Sequence, residues 1–266
     1  MDIIWALLLG LVQGLTEWLP ISSSGHLAIA QHFLGEEPPL VFDIMVHFGT
    51  TLVLIFYFRK DVMDILRSLV SSNKAPRVVL GRRVAWFLLL GLIPTALIGL
   101  VLNYTIIEYT YQSLTIVGTC LILTGLILML ARKAGKRGFK SMKSRDAVLV
   151  GIGQGLAILP GLSRSGTTIG LGFIRGLDPE TAGRYSFLLA IPATLGAMLL
   201  HVKDLFDGGL EIDLPAFIGG TVVAMVVGYL TLALLMKVLK GNGFHHFAKY
   251  CVPVGAVVLA LGLMGY

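Results

Sequence analysis

Two short stretches concentrate the residues that could do chemistry. The first reads Gln13-Gly14-Leu15-Thr16-Glu17-Trp18-Leu19-Pro20-Ile21-Ser22-Ser23-Ser24-Gly25-His26. Gln13 and Glu17 stand at i and i+4, so their side chains share one helix face. A carboxylate at membrane depth is expensive and by default marks function. The plain alternative is an interfacial Glu, which Trp18 beside it would suit. Ser22, Ser23, Ser24 and Gly25 follow the break at Pro20 and open a second helix. Serine favours N-caps, where backbone N–H groups and the helix dipole suit an anion; an ordinary cap is the bland reading. His26, about one turn further on, is placed to exchange a proton with a serine or a phosphate oxygen. A lone histidine is as often a packing residue.

The second stretch, Leu159-Pro160-Gly161-Leu162-Ser163-Arg164-Ser165-Gly166-Thr167-Thr168, sets Arg164 in a similar turn of Ser163, Ser165, Gly166 and Thr167. A guanidinium is a planar fork that grips phosphate in bidentate fashion. Its rival role is snorkelling to the surface, for which Arg175 at the helix end is already available. Asp43 and His47, also i and i+4, are lesser candidates for a cavity wall. His32, His201, His245, His246, Asn103 and Tyr104 read as residues near the membrane surface.

What must position these groups follows from composition. Of 266 residues, 56% are apolar and 14% charged, against roughly 45–50% and about 25% in soluble domains. Apolar stretches of about 20 residues, the length that crosses a bilayer core, recur at 39–58, 84–103, 113–131, 185–202, 215–236 and 249–266. The net charge of +6 does not signify nucleic acid, because of where the cations sit. Nineteen of the 21 Lys and Arg residues fall in four loops, 59–83, 132–145, 175–184 and 237–249. Lys203 stands on the opposite face with Glu36, Glu37, Glu108, Asp204, Asp207, Glu211 and Asp213. Cationic loops stay in the cytoplasm, which predicts external termini. Arg164 belongs to neither face. Cys120 and Cys251 lack metal-ligand spacing and read as small core residues. The N-terminus lacks a basic n-region and does not read as a removable signal.

The two stretches are related. Gln13-Gly14-Leu15 recurs as Gln154-Gly155-Leu156, and Ser22-x-Ser24-Gly25 as Ser163-x-Ser165-Gly166, both at an offset of 141 residues. Each copy reads as a short helix, a Pro-containing break, a Ser/Gly turn and a second short helix. Neither half can span a bilayer, and broken helices at that depth must be buried or line a wet cavity. Each copy is therefore expected to be a re-entrant hairpin. Three spans follow the first hairpin, so the second enters from the other side and the tips can meet near the midplane. The expected fold is an all-α polytopic membrane protein, an inverted-topology repeat of six transmembrane helices plus two re-entrant helical hairpins. It forms one membrane domain, with repeat 1 over about 1–131 and repeat 2 over about 147–266.

At these motifs the chain resembles the undecaprenyl-diphosphate phosphatases of the bacitracin-resistance type, over essentially its whole length. The resemblance implies hydrolysis of a polyprenyl diphosphate to the monophosphate and inorganic phosphate, recycling the carrier for cell-envelope glycan synthesis. It also implies a divalent cation, magnesium or calcium, and a site reached from the external face. The family's acidic motif falls on Gln13 and Glu17, so metal ligation leans on Glu17, with Gln13 a neutral helper. Its histidine falls on His26, its tip serine on Ser23 and its arginine on Arg164. The expected catalytic set is therefore Glu17, Ser23, His26 and Arg164, the nucleophile being Ser23 or a water. Phosphate binding is expected from Ser22, Ser24, Gly25, Ser163, Ser165, Gly166 and Thr167. The partners are the lipid substrate and the bilayer, and a homodimer is an allowed assembly. Inverted repeats with broken helices are also transporter architecture, so a transporter or lipid flippase is the rival. A purely structural membrane protein would leave Glu17 and Arg164 without purpose.

Overall fold

The computed structural model describes residues 2–34, 40–105, 110, 113–200, 213–241 and 243–265, apart from the side chains of 34, 40, 41 and 103–105. Lys203, His201, Glu36, Glu37, Glu108, Asp204, Asp207 and Glu211 lie outside them, as do the side chains of Asn103 and Tyr104. The described residues form α-helices and one 3₁₀ turn: α1 (Ile3–Thr16), α2 (Ser23–Leu34), α3 (Leu40–Tyr57), α4 (Arg59–Val70), α5 (Pro76–Thr105), α6 (Leu114–Leu130), α7 (Ser144–Leu156), α8 (Arg164–Ile174), α9 (Pro179–Leu200), α10 (Leu214–Lys240), the turn Phe244–Phe247 and α11 (Ala248–Leu263).

Within the described residues, every apolar stretch read from the sequence falls on a helix. By length and composition, Pro76–Leu102, Pro179–Leu200, Leu214–Lys240 and Phe244–Leu263 can each cross a membrane. A fifth arises if α3 and α4 count as one span, although they are bent by 75°. The bend has a compositional cause. Helix α3 is apolar, whereas α4 carries Arg59, Lys60, Asp61, Asp64 and Arg67 and leaves Met63, Leu66 and Leu69 exposed. An amphipathic helix lies along the interface rather than through the core. Segment 59–83, expected as a loop, is thus α4 followed by the first turns of α5.

The helices pair across the halves of the chain. Helix α1 packs on α10, α5 on α7, α3 on α10, α9 on α5, and α6 on α11. Small residues permit the close approach, since side-chain packing rather than hydrophobic exclusion holds helices together in lipid.

Helices α7 and α8 double back on each other. Asp146, in the first turn of α7, accepts from Arg175 Nε at the end of α8 (2.9 Å) and from Arg137 Nη1 in the preceding loop (2.9 Å). Arg137 also donates to the Arg175 carbonyl, and its own N–H and C=O pair with Gly176 and Asp178. The two open ends of this hairpin are therefore tied at one level. Burial pushes the Asp146 carboxyl up, but the hydrogen bonds from Arg137, the Lys143 N–H and Arg175 outweigh it and hold it below the usual aspartate range. Because the folded value is lowered, this stabilisation is fully present above the unfolded pKa, about 3.9. It is lost as pH falls through the folded value. Asp146→Ala should destabilise by roughly 3 kcal/mol, the low end for breaking a buried pair, because both guanidiniums are about a third exposed. A lower thermal midpoint in detergent near pH 7, with the difference shrinking at strongly acidic pH, is the expected result.

Candidate active site

The two breaks meet. The first begins where α1 ends at Thr16, with Trp18 fixing the descent: it is 1% exposed and edge-on to Phe187 of α9. Trp18 is thus packed among the helices rather than turned toward a surface. The chain then turns at Ser22, whose φ of 71° is in the left-handed region. Such a conformation costs a non-glycine residue about 1–3 kcal/mol and persists only when overdetermined. Here the Ser22 hydroxyl oxygen accepts from Gly25 N–H (3.2 Å) and from Gly161 N–H of the other break (3.1 Å). One side chain caps α2 and docks the two breaks together.

The second break mirrors this. Ser163 caps α8 by accepting from Gly166 N–H at 3.1 Å, and its own N–H donates to Thr124 of α6 (2.9 Å). Thr124 donates in turn to the Gly161 carbonyl (2.9 Å). Gly161 has φ +93°, and a Cβ there would stand 2.3 Å from the Val117 carbonyl oxygen. Ser165 donates to the Leu19 carbonyl at 3.1 Å, a second strap between the breaks. Gly25 is required by proximity: its Cβ would lie 2.9 Å from Gly161 Cα.

Glu17 is the centre of the arrangement. It is 7% exposed, and both oxygens are engaged. Oε1 pairs with Arg164 Nη2. Oε2 accepts from the Ser23 hydroxyl at 2.6 Å and from Gln13 Nε2 at 3.0 Å. Arg164 does not snorkel: Nη1 donates to Thr194 of α9 at 2.8 Å, and its guanidinium lies 5.8 Å from the Trp18 ring centroid. Each of these Arg164 nitrogens still carries a second N–H. His47 Nε2 approaches Glu17 Oε2 to 3.7 Å, which places this residue of α3 beside the carboxylate.

Gln13, Glu17, Ser23 and Arg164 are thus brought together. His26 sits on the same turn but faces elsewhere, its Nδ1 2.7 Å from the Ser22 carbonyl oxygen and its Nε2 2.7 Å from the Tyr250 hydroxyl. The residues expected to bind phosphate divide by task. Ser22, Ser163, Gly25 and Gly166 form the two caps, and Ser165 straps the breaks. The Ser24 hydroxyl lies 3.3 Å from that of Ser22, and the Thr167 hydroxyl is buried without a partner among the described residues. With the caps satisfied, the N–H groups of Ser23, Ser24, Arg164 and Ser165 have no acceptor among the described contacts. Unpaired N–H groups at two helix N-termini, with Arg164 on one of them, are the kind of donors that suit an anion. Thr194, Thr124 and Tyr250 were not signalled by the sequence, being isolated polar residues within apolar helices.

A family model described as bacitracin resistance protein BacA matches residues 6–257. A protein of Desulfosudis oleivorans named undecaprenyl-diphosphatase is 42% identical over 275 residues, covering 99% of this chain and 100% of that protein. Proteins of the same name from Methanosphaera stadtmanae and Nocardioides sp. are 37% and 40% identical. They cover 99% of this chain and, respectively, 99% and 98% of their own lengths. With the match extending over both breaks and the helices that carry them, the chain belongs to the BacA family.

Proposed function

We propose that this protein hydrolyses undecaprenyl diphosphate, or a closely similar polyprenyl diphosphate, to the monophosphate and inorganic phosphate at the membrane. The observation that carries the reading is the convergence of Ser23 and Arg164, from opposite breaks, on the one carboxylate of Glu17. Phosphoryl transfer needs chiefly positioning and charge stabilisation, and these residues supply both. Arg164 and the four free N–H groups hold the phosphates. The Ser23 oxygen attacks the terminal phosphorus, and its proton passes to Glu17. The bond from that phosphorus to the bridging oxygen breaks, and its electron pair leaves with the prenyl monophosphate. Water then attacks the phosphoserine, and its proton ends on Nε2 of His26, the ring nitrogen not held by the Ser22 carbonyl. Inorganic phosphate departs, and Ser23 recovers its proton from Glu17. Release of phosphate from polyprenyl diphosphate by detergent-purified protein tests the reading. Absence of release from folded protein would leave the transporter alternative, since hydrolysis needs no second compartment.

A divalent cation fits the donors present. Because Gln13 gives its NH₂ to Glu17, its Oε1 is buried without a partner among the described residues, a hard oxygen beside a carboxylate. Among the described residues no three His, Cys, Asp or Glu side chains gather. Phosphate oxygens and water would therefore complete the shell around Glu17 and Gln13, as is common for magnesium. When bound, the ion neutralises phosphate charge. Chelation should abolish release, and magnesium or calcium should restore it. Gln13→Glu should remain active and reach half-maximal rate at a lower cation concentration, because it adds a second carboxylate. A metal titration of the purified variant measures this.

The finer architecture belongs to the same proposal: six spans, two re-entrant hairpins and inverted repeats over about 1–131 and 147–266. The tied ends of α7 and α8 and the reciprocal packing of α1 on α10 and α7 on α5 support it. Loop 132–145 is cytoplasmic, and the termini and the mouth of the site are external. An impermeant thiol reagent added outside should label a cysteine at Leu214 and spare one at Lys136. The reverse pattern would refute the orientation.

A further inference from the structure

Helix α11 begins at Ala248 and reaches the first break with two consecutive residues. Cys251 Sγ donates to the Pro20 carbonyl (3.3 Å), and the Tyr250 hydroxyl lies 2.7 Å from His26 Nε2. The Tyr250 and His26 rings also stack, with centroids 5.7 Å apart and planes 13° from parallel. His26 and Tyr250 are 224 positions apart in sequence.

The hydrogen bonds of His26 fix which nitrogen can work. Nδ1 faces the Ser22 carbonyl oxygen, which can only accept, so Nδ1 carries the hydrogen in either protonation state. Proton exchange is therefore left to Nε2. A Tyr hydroxyl both donates and accepts. In the neutral ring the single lone pair of Nε2 accepts from the Tyr250 hydroxyl, so a proton reaches Nε2 as Tyr250 passes its own hydrogen across and takes another from water in its place; the imidazolium then donates back to the phenol oxygen. The contact survives the proton transfer, while the stacked phenol face restrains rotation of the imidazole. Tyr250 touches neither Glu17 nor Ser23 among the described contacts.

We infer that Tyr250 carries the proton between water and Nε2 of His26 in the phosphatase reaction, and holds that edge of the ring in place while it does so. This rests on His26 being the proton carrier of the proposed hydrolysis. A partner that orients an acid–base group acts on turnover rather than on substrate binding.

The test uses the full-length purified protein with polyprenyl diphosphate. Tyr250→Phe keeps the stacked ring and removes only the hydroxyl. It should lower kcat about tenfold, the effect of one lost orienting hydrogen bond, and leave KM within about twofold. In a His26→Ala background, Tyr250→Phe should cause no further loss, since the two act as one unit. Tyr229→Phe, on α10 against Tyr57, serves as a control and should match the parent. If His26→Ala retains full turnover, the proton-carrier reading itself fails and this inference with it. If His26→Ala is inactive but Tyr250→Phe turns over normally, only the role of Tyr250 is overturned. A raised KM at unchanged kcat, or losses that add in the double variant, would overturn it as well.

Discussion

Arg164→Lys should reduce phosphate release by about a hundredfold to a thousandfold, the usual effect of removing a donor aimed at transition-state charge. The substitution keeps the positive charge, so the loss isolates geometry. Arg164 reaches Thr194 with one terminal nitrogen and Glu17 with the other, and still has N–H groups to give a phosphate. An ammonium is a single point with three donors on a flexible stem and cannot hold that fork. The measurement is turnover of polyprenyl diphosphate by protein that elutes as a monodisperse peak, because a change at a buried ion pair can also destabilise. Full turnover by folded Arg164→Lys would remove the planar fork from the mechanism and leave only a positive charge at this position.

Glu17→Gln is expected to be at least as damaging, for a different reason. The amide has nearly the shape of the carboxylate, but it cannot take the Ser23 proton and leaves Arg164 without its counter-ion. Ser23 accordingly loses both its acceptor and its activation. Ser23→Ala should reach a similar low rate, and the double variant should be little worse than either single one, because groups acting as a unit are not additive. Turnover of Ser23→Ala near the parent rate would instead make water the nucleophile, with Glu17 orienting it.

The sequence carried the all-helical, membrane-spanning character of the chain and the residues that gather around Glu17, and the reasons are local. Long apolar stretches announce membrane helices directly. The spacing of Gln13 to Glu17 and the two Ser-x-Ser-Gly turns survive in one dimension because each acts within a turn or two of helix. Whatever depends on distant helices was not legible. Thr124 looks like any threonine in an apolar run until Ser163 and Gly161 are seen on either side of it. Thr194 and Tyr250 are hidden for the same reason, since their partners lie 30 and 224 positions away. The division of labour among the serines was also out of reach. Ser22 and Ser23 are neighbours of one residue type, and only the left-handed turn at Ser22 decides that the first docks the breaks while the second faces Glu17. Helix α4 escaped because its charges resemble those of a loop until its period is set against a bilayer surface.

The ion pair between Glu17 and Arg164 has a consequence for biosynthesis. The two residues are 147 positions apart, and a ribosome adds roughly 5–20 residues per second. For about 7–30 s the carboxylate of Glu17 has been made while its counter-charge has not. An ionised carboxylate is costly in hydrocarbon, so in the proposed re-entrant arrangement the newborn amino-terminal helix is expected to keep Glu17 in hydrated surroundings or protonated until its partner is made. Its final packing then follows the arrival of Arg164, which makes the first segment synthesised among the last to settle.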